Sequence, residues 1–296
     1  MTDAATIPST QCTLGVDIPG YTRAQFASGH EIYVLDHRVA QQPAGVAWYE
    51  RWEEYFIKPL MHLVKPGDVV YDIGAEQGEF SALVGSVVGG GNVHLFEPTP
   101  EYWRNMRHVW TANNLAAPVC FPGFVAHQSD PGWQQHVSHG WPIVAAGSVW
   151  TDARFGHYGT RSPNAPAVSI DDYVEAGGTP PDVVIMDVEG AEALVVIGMR
   201  KVLKKYRPRV FVSLHLHCGE PGDRVQCDYS APPLPCLRGF FSSCESVPPC
   251  VLGRSCQQEH VFRFFALAGY QGKFLGEDHE AHWVFCHRRR GFGAIR

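Results

Sequence analysis

Short apolar segments alternate with glycine-containing turns and amphipathic segments from Asp68 onward, and this alternation constrains the fold more than any other feature. The segments "DVVYDIG", "NVHLFEP", "VVIMD" and "RVFVSLH" each have the length and apolar content of a buried strand. Helical segments follow the first three of them, in "EFSALVGSVV", "EYWRNMRHVWTANN" and the stretch from Gly190 to Lys205. This repeated order predicts βαβ units, and therefore an α/β fold with a mostly parallel sheet flanked by helices.

The segments at both ends extend this pattern. "VCFPGFVA" is expected to add a strand, interrupted by Pro122 and Gly123. Near the C-terminus, "EHVFRFFALAGY" is helical, and "GKFLG" with "HWVFCH" predicts a closing pair of short strands. Residues 1–65 contain the extended segment "EIYVLD" and the helical "WYERWEEYFIKPLMHLV". We interpret them as a lead-in segment packed on one domain formed by residues 66–296.

Two irregular insertions interrupt the domain. Residues 127–166 are rich in Trp, His, Gly and Pro, and residues 218–257 contain six of the nine cysteines. Long irregular segments of this kind often form binding loops. The cysteines lack Cys-x-x-Cys spacing, which disfavours a standard zinc site. A loop with free thiols, a non-standard metal site that uses His217, and disulfides formed in an oxidising compartment remain alternatives.

Charge and hydropathy disfavour several classes of partner. The 296 residues carry a formal net charge of −6, which opposes the broad positive field that non-specific nucleic-acid binding needs. No run of about 18 apolar residues is present to span a bilayer, and the first residues lack the order of a secretory signal. We therefore expect a cytoplasmic protein that binds neither nucleic acid nor membrane. The oligomeric state is left open.

The turn after the first strand, "YDIGAEQGEF", has the features of a nucleotide-binding turn. Asp72, Gly74 and Gly78 form an Asp-x-Gly-x-x-x-Gly array between a strand and a helix. Glycines there let the backbone pass close to a ligand, and the helix N-terminus supplies amide donors. Glu97 ends the next strand, where an acidic residue binds a ribose in doubly wound sheets.

The acids in this turn restrict the cofactor. The spacing is not Gly-x-Gly-x-x-Gly, and Glu76 and Glu79 would repel a pyrophosphate. An adenosine cofactor without phosphates fits better, which indicates S-adenosylmethionine (SAM) with Glu97 on its ribose. The alternative is a tight turn with incidental acids.

Several motifs together resemble the FkbM-type family of SAM-dependent methyltransferases. They are "VVYDIGAEQGEF", "HLFEPTPEYW", "SIDDYV", "PDVVIMDVEGAEALVVIGM" and "PRVFVSLH", over about residues 66–217. The resemblance implies a class I methyltransferase (Rossmann-like) fold, with a mostly parallel seven-stranded sheet whose last strand is antiparallel. It also implies methylation of a hydroxyl oxygen on a small molecule, sugar or glycan. Where the family usually has Asn in a "DIGAN" turn, this chain has Glu76.

The expected cofactor-binding residues follow from these motifs. They are Asp72, Gly74, Ala75, Glu76, Gly78, Glu97, Pro98 and Asp187.

Acids and histidines at strand ends are candidates for acceptor chemistry. Methyl transfer to an alcohol needs a base or a metal near the methyl group. Asp187 ends the fourth strand and His215 the fifth, and the carboxyl ends of parallel strands meet at one edge. If "HWVFCH" is the antiparallel last strand, its beginning lies at this edge too. That placement adds four further candidates, Asp278, His279, Glu280 and His282.

The expected catalytic residues are Asp187, Glu189, His215 and His282. A general-base relay and a divalent metal held by Asp187, His215 and His282 are both compatible with them. Structural roles are an alternative for these acids. Asp187 could cap the next helix, and Glu189 and Glu192 could complement the dipole of that helix. For Glu192, the role in the helix dipole is the one that we expect.

The sequence thus predicts a SAM-dependent O-methyltransferase. The alternatives are a non-catalytic protein with a methyltransferase fold that binds SAM or a partner, and methylation of an acceptor atom other than oxygen.

Overall fold

An eight-stranded mixed sheet forms the centre of the protein in a computed structural model. The structure describes residues 13–26, 28–36, 53–143, 166–215, 256–277 and 280–290. The strands in this part of the chain are β1 (Thr13–Ile18), β2 (Tyr21–Gln25), β3 (Glu31–Leu35), β4 (Val70–Ile73), β5 (Val93–Phe96), β6 (Val119–Phe121), β7 (Phe124–Val125), β8 (Ser138–His139), β9 (Ala167–Val168), β10 (Val183–Met186), β11 (Arg209–His215), β12 (Tyr270–Glu277) and β13 (Glu280–His287).

The helices cover both faces of this sheet. They are α1 (Lys58–Leu63), which continues a π-helical turn at Glu53–Ile57, α2 (Glu79–Val88), α3 (Pro100–Ala112), α4 (Ile170–Glu175), α5 (Glu192–Gly198), α6 (Arg200–Lys205) and α7 (Cys256–Leu267). None of the helices in the described ranges is long and apolar enough to cross a membrane.

The strand order is that of a class I methyltransferase. It runs β12-β13-β11-β10-β4-β5-β6-β8. The strands β4, β5, β6, β10 and β11 pair in parallel, and β13 is antiparallel to both β11 and β12. The predicted fold is confirmed, and the two-residue strand β8 adds an eighth strand at the edge.

The central strands are buried on both faces. Every residue of β4, β5 and β10 is buried, as expected of parallel strands covered by helices on both sides. Alternate residues of β10 belong to two different apolar clusters: Val183 and Ile185 pack in one, and Val184 and Met186 in the other. The sheet therefore separates two cores, and its carboxyl edge is where polar residues begin.

Two predicted elements are divided in the structure. The single helix expected from Gly190 to Lys205 is instead α5 and α6, with a break at Met199. The carboxylate of Asp171 accepts the backbone N–H groups of Lys201 and Val202, both at 2.9 Å. This contact satisfies donors at the start of a new helix. The segment "VCFPGFVA" is likewise split into β6 and β7, and β7 pairs with β9 outside the main sheet.

The N-terminal segment contributes a separate three-stranded antiparallel sheet, β1-β2-β3. Only β3 was predicted, as "EIYVLD". The side-chain amide of Asn113, at the end of α3, accepts from the backbone N–H of Tyr33 and donates to its carbonyl oxygen, both at 2.9 Å. Ala24 and Val34 are fully buried. These contacts tie the lead-in sheet to α3 of the domain.

Candidate functional site

The glycine turn after β4 lies directly against the end of β10. Gly74 has a φ of +87°, and a Cβ on it would stand 1.7 Å from the carbonyl oxygen of Asp187. Only glycine permits both the positive φ and this approach. The turn therefore forms one continuous wall with the residue that ends β10.

Glu97 is a buried carboxylate held by backbone donors. Its Oε2 accepts the N–H of Glu76 at 2.9 Å, and its Oε1 accepts the N–H of Thr99 at 2.7 Å. The residue is 4% exposed, and burial raises the pKa of its carboxyl group to about 7. Each oxygen retains a lone pair for a further donor. The carboxylate can therefore accept two further hydrogen bonds, which matches the two hydroxyls of a ribose.

Asp72 faces the first turn of α2. It is 3% exposed, its Oδ2 accepts the hydroxyl of Ser81, and burial raises the pKa of its carboxyl group to about 7. The backbone N–H groups of Gly74 and Ala75 both donate to the carbonyl oxygen of Phe96, at 2.8 and 3.3 Å. Asp72 therefore holds the shape of the turn, and the turn is anchored to the strand that carries Glu97.

Glu76 occupies a conformation that suits a different residue type. Its φ is +46°, in the left-handed region where Asn is tolerated better than Glu. Gly78, with a φ of +77°, is the N-cap residue that precedes α2. The next predicted residue, Pro98, is half-buried beside Glu97. The expected cofactor residues are thus contiguous along one rim of the sheet.

A second polar group surrounds His215 at the end of β11. Its Nε2 lies 2.9 Å from Oε2 of Glu189 and 3.7 Å from Oδ1 of Asp187. One ligand atom from each of these three residues lies within 4.8 Å of the other two. The structure therefore brings together three of the four predicted catalytic residues.

Glu192 belongs to this second group, although the sequence assigned it to the helix dipole. It does begin α5, but it is only 2% exposed and its Oε1 lies 2.8 Å from Nδ1 of His215. The same oxygen accepts the N–H of Gly190 at 3.0 Å. The left-handed Glu189, with a φ of +53°, reverses the chain so that both glutamates face one ring. Glu192 and His215 are far apart in the sequence, and no sequence pattern indicates that they are in contact.

His282 is placed elsewhere. In the register of β13 against β11, His282 stands opposite Ser213, whereas Glu280 stands opposite His215. Its Nδ1 lies 3.1 Å from the hydroxyl of Ser213, and its ring is 6.1 Å from that of Phe56. Within the described residues, Glu189 replaces His282 in the group of possible metal ligands.

Several predictions fall on parts of the chain that the structure leaves undescribed. Asp278, His279, the side chain of Glu280 and residues 144–165 and 216–255 lie outside the described residues. The proposed roles of the two insertions therefore stay predictions. Asp171 caps α6, and Asp172 accepts the hydroxyl of Ser129 at 2.6 Å, so both of these acids have structural partners.

Comparison with known proteins gives one family. Residues 72–244, more than half of the 296-residue chain, match the model of the methyltransferase FkbM domain. Curated proteins give no significant match.

Similar solved structures share little sequence with this chain. The methyltransferase FkbM from Methylobacillus flagellatus KT is 14% identical with a TM-score of 0.44, over 79% of this chain and 46% of that one. The chain thus spans less than half the length of this relative. Aeropyrum pernix fibrillarin, solved with natively bound S-adenosyl-L-methionine, is 13% identical with a TM-score of 0.42, over 93% and 98% of the two chains. Precorrin-6y C5,15-methyltransferase from Geobacter metallireducens GS-15 is 9% identical with a TM-score of 0.40, over 78% and 85%.

The family match includes the glycine turn, the acid that follows β5, the acid that follows β10 and the histidine that ends β11. The sheet is mostly parallel with an antiparallel last strand, as the resemblance implied. The predicted resemblance is confirmed: the chain belongs to the FkbM family of SAM-dependent methyltransferases.

Proposed function

We propose that the protein transfers the methyl group of SAM to a hydroxyl oxygen of a small molecule, sugar or glycan. The observation that carries this proposal is the contact between the glycine turn and the end of β10, where a Gly74 Cβ would meet the Asp187 carbonyl. Because of this contact, the glycine turn, which is suited to bind a cofactor, lies next to a group of acids and an imidazole. Transfer requires the methyl group and the acceptor to meet at such a junction.

The cofactor assignment rests on the turn and on Glu97. SAM supplies an electrophilic methyl group on a sulfonium. The backbone of Gly74, Ala75 and Gly78 would pass beneath its amino acid portion, with Asp72 holding the turn. Glu97 would accept the ribose hydroxyls, because its two oxygens are already oriented by the N–H groups of Glu76 and Thr99.

The acceptor assignment rests on His215 and its carboxylates. An alcohol is a weak nucleophile until its proton is removed or its oxygen is polarised, whereas amines and thiolates need less help. Glu192 lies against Nδ1 of His215, and Nε2 of the same ring lies 2.9 Å from Glu189 and 3.7 Å from Asp187. This group, which would lie near the methyl group of bound SAM, supports an oxygen acceptor.

The experiment offers methyl-labelled SAM and matched alcohol, amine and thiol acceptors, including sugars, glycans and a short RNA. We expect label on alcohols, confirmed by mass spectrometry. His215→Ala and Asp187→Ala should each slow transfer about 100-fold or more, the scale of lost acid–base catalysis. Their SAM affinity by calorimetry should stay within about twofold, because both side chains are proposed to act on the acceptor; a larger loss in Asp187→Ala would assign that side chain to the cofactor instead.

His62→Ala, which removes an exposed histidine of α1, serves as the matched control and should behave as wild type. Label found only on nitrogen, sulfur or RNA would contradict the hydroxyl acceptor. SAM binding without transfer to any acceptor would favour the non-catalytic alternative.

A further inference from the structure

We propose that Asp187, Glu189 and His215 bind a divalent cation, and that the buried Glu192 positions His215 for it. The functional meaning of this site rests on the proposed hydroxyl methylation, because it specifies how the acceptor oxygen is activated. The cation site itself is argued from the geometry of four side chains.

The spacing of the ligand atoms suits one ion. Nε2 of His215 lies 2.9 Å from the Glu189 carboxylate and 3.7 Å from that of Asp187, and all three atoms lie within 4.8 Å of one another. Ions such as Mn²⁺ and Zn²⁺ hold nitrogen and oxygen at about 2.0–2.2 Å, so neighbouring ligand atoms lie about 3 Å apart. Shifts of about 1 Å in the two carboxylates therefore complete the site.

An ion can reach the site from solvent because the two carboxylates are partly exposed. The side chains of Asp187 and Glu189 are 38% and 45% exposed, whereas that of His215 is 6% exposed. A hydrated ion can therefore exchange its water for the carboxylates first. The remaining coordination positions would face solvent, where an acceptor hydroxyl can enter.

The contact with Glu192 selects the tautomer of His215 that can bind an ion. A carboxylate accepts hydrogen bonds, so its 2.8 Å contact assigns the proton of a neutral ring to Nδ1. The lone pair is then on Nε2, which lies 2.9 Å from Oε2 of Glu189. The side chain of Glu192 is 3% exposed and is held by the N–H of Gly190. A carboxylate behind a histidine ligand is the usual way in which proteins orient such a ligand.

Charge favours a dication at this position. Three carboxylates surround one imidazole, so even a protonated ring would bring one positive charge against three negative ones. One imidazole and two carboxylates suit divalent first-row ions such as Mn²⁺, Fe²⁺ and Zn²⁺.

The chemistry of the proposed step is balanced. A bound cation polarises the acceptor hydroxyl and lowers its pKa, so that the proton is released to water. The oxygen–carbon bond then forms as the sulfur–carbon bond breaks, and SAM leaves as S-adenosylhomocysteine. The reaction needs no additional reactant.

The test is a Mn²⁺ titration of the full chain, stripped with chelator, with free ion measured by electron paramagnetic resonance. Mn²⁺ is the probe because thiolates in the cysteine-rich insertion would capture Zn²⁺. We expect one tight site per chain. Glu189→Gln should weaken it at least tenfold, and Glu192→Gln about 10- to 100-fold, as for other partners behind a ligand. Glu101→Gln, an exposed acid of α3, is the matched control and should bind as wild type.

Calorimetry with SAM separates positioning from misfolding. Glu192→Gln should keep wild-type SAM affinity while losing Mn²⁺, since a merely structural role would disturb both. No Mn²⁺ binding by the wild type at 1 mM, about the upper limit of useful affinity, would overturn the proposal, as would equal binding by Glu189→Gln and Glu101→Gln.

The outcomes also separate this inference from the proposed function. A chain that methylates hydroxyls but binds no Mn²⁺ contradicts the cation site alone. A chain that binds Mn²⁺ through Glu189 and methylates only nitrogen contradicts the hydroxyl acceptor alone.

Discussion

Two groups of acids lie along the same edge of the sheet, and they are built in opposite ways. In the group near the glycine turn, Asp72 and Glu97 accept hydrogen bonds from a hydroxyl and from backbone N–H groups. In the group at the ends of β10 and β11, three carboxylates converge on the ring of His215. Both groups join the ends of two adjacent strands, but the acids of the first hold hydroxyl and backbone donors, whereas those of the second lie against one imidazole ring.

This difference predicts different consequences of mutation. Acids that hold backbone donors shape the glycine turn, where we propose that SAM binds, so their loss should lower SAM affinity. Acids that lie against the imidazole affect its reactivity, so their loss should lower the rate of methyl transfer. The predictions below test this division, starting with the contact that joins the two groups.

Gly74→Ala should have the largest effect on stability. The new Cβ would be placed 1.7 Å from the Asp187 carbonyl at a φ of +87°, so the turn and the end of β10 must move apart. We expect the free energy of unfolding to fall by about 3 kcal/mol or more, measured by urea denaturation.

Gly67→Ala is the matched control for this change. Gly67 has nearly the same φ, +85°, but nothing within 4 Å of a Cβ. It should lose only the conformational cost of about 1–2 kcal/mol. Equal losses in the two variants would show that the contact with Asp187 contributes nothing.

Glu97→Ala should weaken SAM binding by about 1–3 kcal/mol, the scale of hydrogen bonds to a charged group. Isothermal titration calorimetry measures this directly, with Glu101→Ala as an exposed control on the following helix. An unchanged affinity would show that Glu97 does not bind SAM. A comparable loss of SAM affinity in Asp187→Ala would show that the two groups do not have separate roles.

The pH dependence of SAM affinity should report the titration of Glu97. Burial raises the pKa of this carboxyl group to about 7, so it is largely protonated at pH 6 and ionised at pH 8. Ribose hydroxyls donate best to the ionised form, so affinity should rise with pH and level off above about pH 7. Below that pH, each unit should cost up to about tenfold.

Glu97→Gln retains the titration of SAM itself and lacks that of residue 97, so it is the control for this profile. The wild-type and variant profiles should converge in slope above the pKa and diverge below it. Parallel profiles across the whole range would exclude Glu97 as the titrating group.

Glu76→Asn should have the smallest effect, a gain of about 0.5 kcal/mol in the free energy of unfolding. Residue 76 has a φ of +46°, and Asn adopts this left-handed region more readily than Glu. Urea denaturation without SAM measures the gain, and Glu101→Asn controls for the loss of a charge. A loss of stability would indicate that the Glu76 side chain makes a contact worth more than the strain.

The parts of the structure that were predicted depend on local patterns. The helix predicted from "EFSALVGSVV" is α2, residue for residue, and the apolar runs became β4, β5, β10 and β11. The break between α5 and α6 could not be predicted, because it depends on a carboxylate from α4 about thirty positions earlier. The strands β2 and β8 were missed because their sequences lack a strong apolar pattern, whereas β1 was missed although Leu14, Val16 and Ile18 have the alternation typical of a strand.

The candidate site divides in the same way. Asp187 and His215 were placed at one edge because parallel strands must end together. His282 was expected beside them, but the register of β13 placed it opposite Ser213. A shift of two residues along a strand moves a side chain by about 7 Å while keeping it on the same face, so the sequence pattern is the same in both registers.

The sequence by itself determined the order of strands and helices, the glycine turn, the acid that ends β5 and the family, because these are properties of neighbouring residues. Only the tertiary structure decided which carboxylates surround His215. A buried imidazole takes its partners from whatever the strand register and the turns bring within about 3 Å. Here the reversal at Glu189 and the start of α5 supply Glu189 and Glu192 to the two nitrogens of one ring.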